Sequence, residues 1–305
     1  MVSVEVLGLF LLHSGLLLHS VLLPTGSEVV TAVDKCSEFF LDGTPPRIPG
    51  VLEDGNIKDQ NRYKVICQTL SNNRTFVTVY DTKNKIPVFS ASRYTGCDGK
   101  RPNNEPWKIE PQLENRDKDR NMEGINPQET YTKQAVESHY QNDEKTYNKG
   151  HLLPSSYGQT VNDRKSTFTL TNIVPQNSKF NTGSWNNMEQ CVKCFMDEFC
   201  SRDNNKIEAF VVIGAVPSKD SFLSGKSSPP NNKVNIPSKM WSAFCCKDRK
   251  SNAYFAGAHW GANIDHNNHL PTRTLPELYT ELGEQFDLFP GTQCSEPITK
   301  LFFKY

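Results

Sequence analysis

The chain has 305 residues, 36% hydrophobic and 22% charged, and its 34 basic and 34 acidic side chains give a formal net charge of zero. That composition is ordinary for a globular protein, the length supports a sizeable core, and no internal repeat or low-complexity linker divides the chain. The balanced charge excludes a protein held on nucleic acid by its overall field, so a polyanion would have to be gripped by a local cleft.

The first stretch, "MVSVEVLGLFLLHSGLLLHSVLLPTGSEVV", is apolar from Val6 to Leu23 and is broken by His13, Ser14, His19 and Ser20. A run so short and interrupted reads as a secretory signal over residues 1–30 rather than a lasting anchor, although Glu5 stands where a positive charge is usual. No later run is apolar enough to span a bilayer, so no stable membrane span is expected once the signal is removed. Residues 31–305 read as one domain.

An exported chain meets oxidising conditions. Most of the nine cysteines (Cys36, Cys67, Cys97, Cys191, Cys194, Cys200, Cys245, Cys246 and Cys294) are therefore expected to pair. Nine is odd, so one thiol stays free or bridges two chains, and the connectivity is open. Cys191 and Cys194, in "CVKC", are expected in structural disulfides, and the adjacent Cys245 and Cys246 in two different ones. Asn73, in "NRT", is an N-glycosylation sequon.

In chain order, "CSEFFLDGTPPRIPG" is turn-rich, with Pro45, Pro46 and Pro49. "RYKVICQTL" and "RTFVTVYDTKNKIPVFSASRY" alternate apolar and polar residues and predict strands, with "DTKNK" as a turn. Residues 98 to 130 are polar and rich in Pro and Asn, which predicts a long surface excursion. "YTKQAVESHYQ" predicts a short helix, and "STFTLTNIVPQ" a strand. From Asn181, the apolar positions Trp185, Met188, Val192, Phe195, Met196 and Phe199 predict a helix to residue 200. "IEAFVVIGAVP" is an apolar run of strand length, followed by the expected loop "SKDSFLSGKSSPPNN". "VNIPSKMWSAFCC" and "NAYFAGAHW" predict strands, and "TLPELYTELGEQFDLF" a late amphipathic helix. The class is α+β: an antiparallel sheet with flanking helices, stabilised by disulfides.

The chemistry gathers around "YNKGHLLPSSYG". A strand ending at His151, a second strand, and a helix starting at Asn181 can bring an imidazole over the helix's first turns. Asn181 offers an amide oxygen and Glu189 a carboxylate. On an uninterrupted helix, eight residues give about 12 Å of rise and about 80° of rotation, too far for both to touch one ion directly. Helical side chains lean toward the N-terminus, and bridging water closes the gap, so one ion can be held by Asn181 directly and by Glu189 through water. Hard oxygen donors that retain water suit Mg2+, with Mn2+ or another divalent cation as substitutes.

"NKGHL" followed by "TLTNIVPQNSKFNTGSWNNMEQ" resembles the DNA/RNA non-specific endonucleases, the ββα-metal (His-Me finger) nucleases. Their signature is Asp-Arg-Gly-His, then Thr/Ser-Asn-Ile-x-Pro-Gln, then Asn-x-Gly-x-Trp-x-x-x-Glu. The last of these is met by Asn181, Gly183, Trp185 and Glu189. "CSEFFLDGTPP", "ICQ", "TVYDTKNKIPVFSA", "PWKIEPQL" and "IPSKMWSAFCC" extend the resemblance to one branch of that family, over nearly all of the chain from Cys36 to Cys294. The chain ends at Tyr305 without the apolar extension some relatives carry, from which a soluble exported form, secreted or endolysosomal, is expected.

The resemblance implies roles. His151 is the general base, Asn181 the metal ligand, Glu189 the carboxylate that orients water, and Asn172 a polar residue lining the substrate. The implied partners are DNA and RNA backbones, and the products carry 5′-phosphate and 3′-hydroxyl ends. Asn148 and Lys149 stand where the family has Asp-Arg. Lys149 keeps a positive charge for phosphate but loses the bidentate arginine fork, and Asn148 loses a negative charge. The alternative is a secreted binding protein that retains the scaffold and has lost turnover through this pair.

The histidine ring is expected across a phosphate-sized gap from the Asn181 amide, within about 10 Å. A ring buried toward the core would count against the scheme. "HWGANIDHNNH", with His259, His266 and His269, reads as a polar loop rather than a zinc site. Arg62, Arg74, Arg93 and Arg101 could line a phosphate groove, although each taken alone reads as surface charge.

Overall fold

The computed structural model describes residues 28–97, 99–141, 146–223, 233–265, 268–292 and 294. The expected secretory signal and the C-terminal residues from 295 onward lie outside the described residues. A seven-stranded antiparallel sheet forms the centre. Its strands are β1 (Val29–Val30), β2 (Tyr63–Leu70), β3 (Asn73–Asp81) and β4 (Ile86–Tyr94), then β8 (Ala209–Leu223), β9 (Val234–Lys247) and β10 (Tyr254–Ala262). They lie in the order β1-β2-β3-β4-β8-β9-β10. The alternating pattern puts Val77, Val79, Phe89, Val212 and Ala243 on one face. There they pack on the N-terminal turns (Val33, Phe39) and on α5 (Leu275–Leu282). Phe76, Val211, Ile213 and Phe244 face the other way.

That second face carries the candidate site. Between β4 and β8 the chain forms β5 (Lys108–Ile109), α1 (Pro111–Glu114), β6 (Tyr147–His151), α2 (Val161–Ser166) and β7 (Ile173–Asn177). A short helix, α3 (Ser178–Phe180), and the longer α4 (Asn186–Phe199) follow. Strands β6 and β7 pair antiparallel, and α4 lays Met188, Val192, Phe195 and Met196 on the sheet. Those positions recur at the spacing of one helix face, and each buried side chain of this size contributes about 1.5–3 kcal/mol. The strand-strand-helix unit is thus fixed to a sheet it does not join.

Several predicted elements are refined. The helix expected from Asn181 to residue 200 is interrupted: Asn181–Trp185 form a π-helical turn, with Gly183 at non-helical φ −103° and ψ −108°. The strand expected over 166–176 begins only at Ile173, because Leu170–Asn172 form a 3-10 turn. The loop expected after residue 217 starts as strand, since β8 runs to Leu223. The helix expected in "YTKQAVESHYQ" is one 3-10 turn, Glu137–Tyr140. The expected surface excursion is buried in part, with Lys108, Ile109 and Glu110 all enclosed.

The disulfides join Cys36 to Cys67, Cys200 to Cys246 and Cys245 to Cys294, so the adjacent pair does serve two bridges. Cys97, Cys191 and Cys194 are free thiols, which corrects the expected pairing of "CVKC". Both of its cysteines lie on the exposed side of α4, away from the sheet. No described helix is long and apolar enough to cross a membrane.

Candidate active site

His151 closes β6 opposite Ile173. Its neighbour Gly150 has no alternative there, because a Cβ would sit 2.2 Å from Gln176 Oε1 and 2.5 Å from Gln176 Cβ. The hairpin is closely packed at that point, so the histidine has little freedom in backbone direction. The ring lies 4.8 Å from Phe168, edge on, and 5.4 Å from Trp107. Burial, then the nearby Arg101 charge, lower its pKa to about 3, so the imidazole is neutral at any ordinary pH. Its Nε2 is buried without a hydrogen-bond partner.

The ring is buried, 8% exposed with Nε2 itself enclosed, which counts against the open ring facing a phosphate-sized gap that the sequence predicts. The cause is the 98–130 segment, which folds back as β5 instead of running over the surface. Lys108 N–H donates to Phe168 O at 2.9 Å, and this bond brings Trp107 against the ring. Trp107 is itself only half-buried.

Glu189, in the first turn of α4, is also half-buried. Burial pushes its carboxyl up to about 8, against the lowering pull of the Trp185 indole N–H and of Arg101. The Trp185 N–H forms no well-aligned hydrogen bond, so its pull on the carboxyl acts from a looser approach. Tyr157 O–H donates to the Glu189 carbonyl at 3.1 Å and ties this turn to the loop after β6.

Of the four arginines named from the sequence, Arg101 is the one that lies beside His151's aromatic neighbours. Its guanidinium lies 4.9 Å over Phe168 and acts on both His151 and Glu189. The other arginines are structural: Arg62 pairs with Asp81 at 2.6 Å, Arg74 with Glu28 at 2.7 Å and Arg93 with Glu208 at 3.1 Å.

Asn181 opens the π turn and is half-buried. The turn corrects the helical-wheel premise, because Asn181 and Glu189 do not lie on one uninterrupted α-helix. A π turn shifts the phase of the side chains before it relative to those after it. The start of α3 is fixed by three asparagines. Asn177 caps it through Lys179 N–H at 3.1 Å, and Asn263 Oδ1 holds Asn177 N–H at 2.7 Å. Asn148 Oδ1 accepts from Ser178 Oγ at 3.1 Å.

Asn172 does not line an open space. It is fully buried, accepting from Ser90 Oγ and Leu153 N–H at 3.0 Å each and donating to Leu153 O at 3.0 Å and Thr167 O at 3.1 Å. With both amide atoms committed, it bolts the hairpin to the sheet behind the histidine. Lys149 is half-buried and bonded to Glu137 at 2.6 Å, with its ammonium 4.8 Å over the Trp107 ring. His259 is buried in β10 and bonded to Thr272 Oγ1 at 3.0 Å, while His269 is exposed and His266 lies outside the described residues.

Among the described residues no group of three or more His, Cys, Asp or Glu converges as a metal cage. Asn181 and Glu189 themselves offer an amide oxygen and a carboxyl, hard oxygen donors of the type magnesium takes beside retained water.

The sequence profile of the DNA/RNA non-specific endonucleases matches residues 55–288. Endonuclease domain-containing 1 protein of Homo sapiens is 30% identical over 224 residues, covering 70% of this chain and 39% of that protein. The Mus musculus protein of the same name is 28% identical over 248 residues, covering 79% and 43%. The chain thus spans about two-fifths of the length of these relatives. A solved structure of the EndoG/EndoGI complex overlaps 71% of this chain and 85% of its own at TM-score 0.48 and 15% identity.

Proposed function

Because the chain belongs to the DNA/RNA non-specific endonuclease family, we propose that it is an exported, metal-dependent endonuclease that hydrolyses phosphodiester bonds of DNA, and of RNA, with little sequence preference. The observation that carries this reading is the geometry around His151: its ring is held against Phe168 and Trp107 with Nε2 unpartnered, and the Arg101 guanidinium lies 4.9 Å over the same Phe168. Neutral imidazole is the form that can accept a proton from water. Arg101 is a cation suited to the phosphoryl oxygens, where charge builds in the transition state.

Asn181, with Glu189 through water, would hold a divalent cation, which when bound offsets negative charge on the phosphate and the leaving 3′ oxygen. His151 takes the proton from the attacking water, and Phe168 and Trp107 keep the ring neutral and fixed in direction. The products are a 5′-phosphate and a 3′-hydroxyl. Backbone readout explains the low preference, since phosphates are alike along any strand. Three disulfides suit an oxidising compartment and support export.

The test is plasmid nicking with magnesium by the purified chain, beside a His151→Ala control. Nicking by wild type that the control loses supports the assignment. Intact plasmid at high protein concentration, with binding retained, favours the non-catalytic binding protein.

A further inference from the structure

Lys149 stands where the family signature carries arginine, yet its charge is already spent. Glu137 Oε1 holds Nζ at 2.6 Å, and the Trp107 ring lies 4.8 Å beneath it. Both partners are reachable from solvent, Lys149 with 22% and Glu137 with 46% of its side chain exposed. Trp107 in turn packs at 5.4 Å on the His151 ring, so the pair stands at the edge of the candidate site. Arg101, on the other flank of the aromatic wall, is in no such close ion pair among the described residues.

We propose that the Glu137 carboxylate occupies the phosphate's place on Lys149, so that a strand binds only by exchanging this internal anion for a phosphodiester. The inference rests on the nucleic-acid reading above but not on turnover. A carboxylate and a phosphodiester present the same feature to an ammonium, an anionic oxygen within hydrogen-bond reach. Glu137 sits in a one-turn 3-10 segment with few obligations of its own, so it can yield. Trp107 remains as a platform that holds the freed ammonium at the site's edge.

The experiment measures binding of a fluorescent 20-base-pair duplex by anisotropy in EDTA, where cleavage cannot interfere, at several salt concentrations. The proteins are wild type, Glu137→Gln, Lys149→Met and the double variant, each checked for an unchanged melting temperature. Glu137→Gln is expected to bind about three- to tenfold more tightly, with a log-log salt slope steeper by up to about 0.9, because in wild type the displaced Glu137 carboxylate takes up a cation that offsets the one released from the phosphate. Lys149→Met binds more weakly than wild type, and Glu137→Gln has no further effect in that background. Should the glutamine variant gain as much without Lys149 as with it, the effect is only net charge and the proposal is overturned. It is equally overturned by unchanged or weaker binding of Glu137→Gln, or by absence of binding in every protein. A wild type that binds, tightens with Glu137→Gln and never cuts would uphold this inference while removing the nuclease assignment.

Discussion

Asn148 Oδ1 accepts a hydrogen bond from the Ser178 hydroxyl at 3.1 Å, joining the strand that carries His151 to the helix start that leads to Asn181. The same hydroxyl reaches Thr146 O at 3.0 Å, so strand and helix are laced at one residue. An aspartate at 148 would accept the same bond and add a negative charge three residues upstream of the histidine. Asn148→Asp is therefore expected to lower the magnesium concentration needed for half-maximal nicking, by roughly tenfold, the scale of an outer-shell carboxylate. Asn148→Leu should raise it. A magnesium titration of plasmid nicking decides, and equal midpoints for all three proteins would remove Asn148 from the site.

As the proposed base, His151 sets no acid limit of its own in the ordinary pH range. Its ring is held to a pKa of about 3 by burial, with Arg101 adding to the effect. In the free enzyme the base is therefore deprotonated at pH 5, and the kcat/KM profile should show no acid limb between about pH 5 and 7 from this group. An ordinary histidine would give one near 6.5. His151→Ala is expected to lower kcat by about 10²–10⁴. The ring also bears on stability. The unfolded chain takes up a proton below about pH 6.5 and the folded ring does not until about 3. The ring's contribution is thus complete above 6.5 and is lost as pH falls through that window. A kinetic limb near 6.5 that vanishes in the alanine variant would show the ring to be open rather than enclosed.

Asn172 illustrates what a motif position can hide. All four of its hydrogen bonds end inside the protein, on Ser90, Leu153 and Thr167. Asn172→Ala should leave a buried carbonyl and amide of Leu153 without partners, at a cost of about 2–5 kcal/mol. Urea denaturation of the variant measures it. A variant that keeps its midpoint but loses nicking would return Asn172 to the substrate.

The long strands and the apolar stripe of α4 were legible because each writes its period over eight or more residues. Val77 and Val79 face away from Phe76, and Met188, Val192, Phe195 and Met196 repeat every three or four positions. His151, Asn181 and Glu189 were legible only through the motif they share, since no periodicity marks a lone imidazole. The π turn was not, because Gly183 is also compatible with a regular helix and the irregularity arises from where α3 is capped and α4 is packed. Trp107 was hidden because β5 is a two-residue strand whose direction is set by distant bonds to Phe168 and Gln134. Asn263 was read as loop polarity, yet it bonds Pro175 O and Pro237 O at 2.9 Å each and is part of the frame.

Glu110, next to that strand, gives a pH dependence of stability that is separate from catalysis. Its carboxyl is buried and pushed up to about 8 by that burial, and Thr169 Oγ1 donates to it at 3.1 Å. Its backbone is tied to Gln134 at 2.9 Å in both directions, so the side chain cannot swing out to water without breaking β5. The folded chain keeps the proton between about pH 4.5 and 8, where the unfolded chain has released it. Stability from this group is therefore present below pH 4.5 and falls as pH rises through 8. Glu110→Gln keeps the shape and the hydroxyl contact and removes the titration. Relative to wild type the variant should gain roughly 1–3 kcal/mol on going from pH 5 to pH 8.5, the scale of desolvating a charged group. Urea midpoints of both proteins at the two pH values measure it. Because His151 and Glu189 titrate alike in both proteins, their contributions cancel in the difference. Parallel pH curves would mean that Glu110 is ionised in the fold and is held by partners other than the threonine hydroxyls.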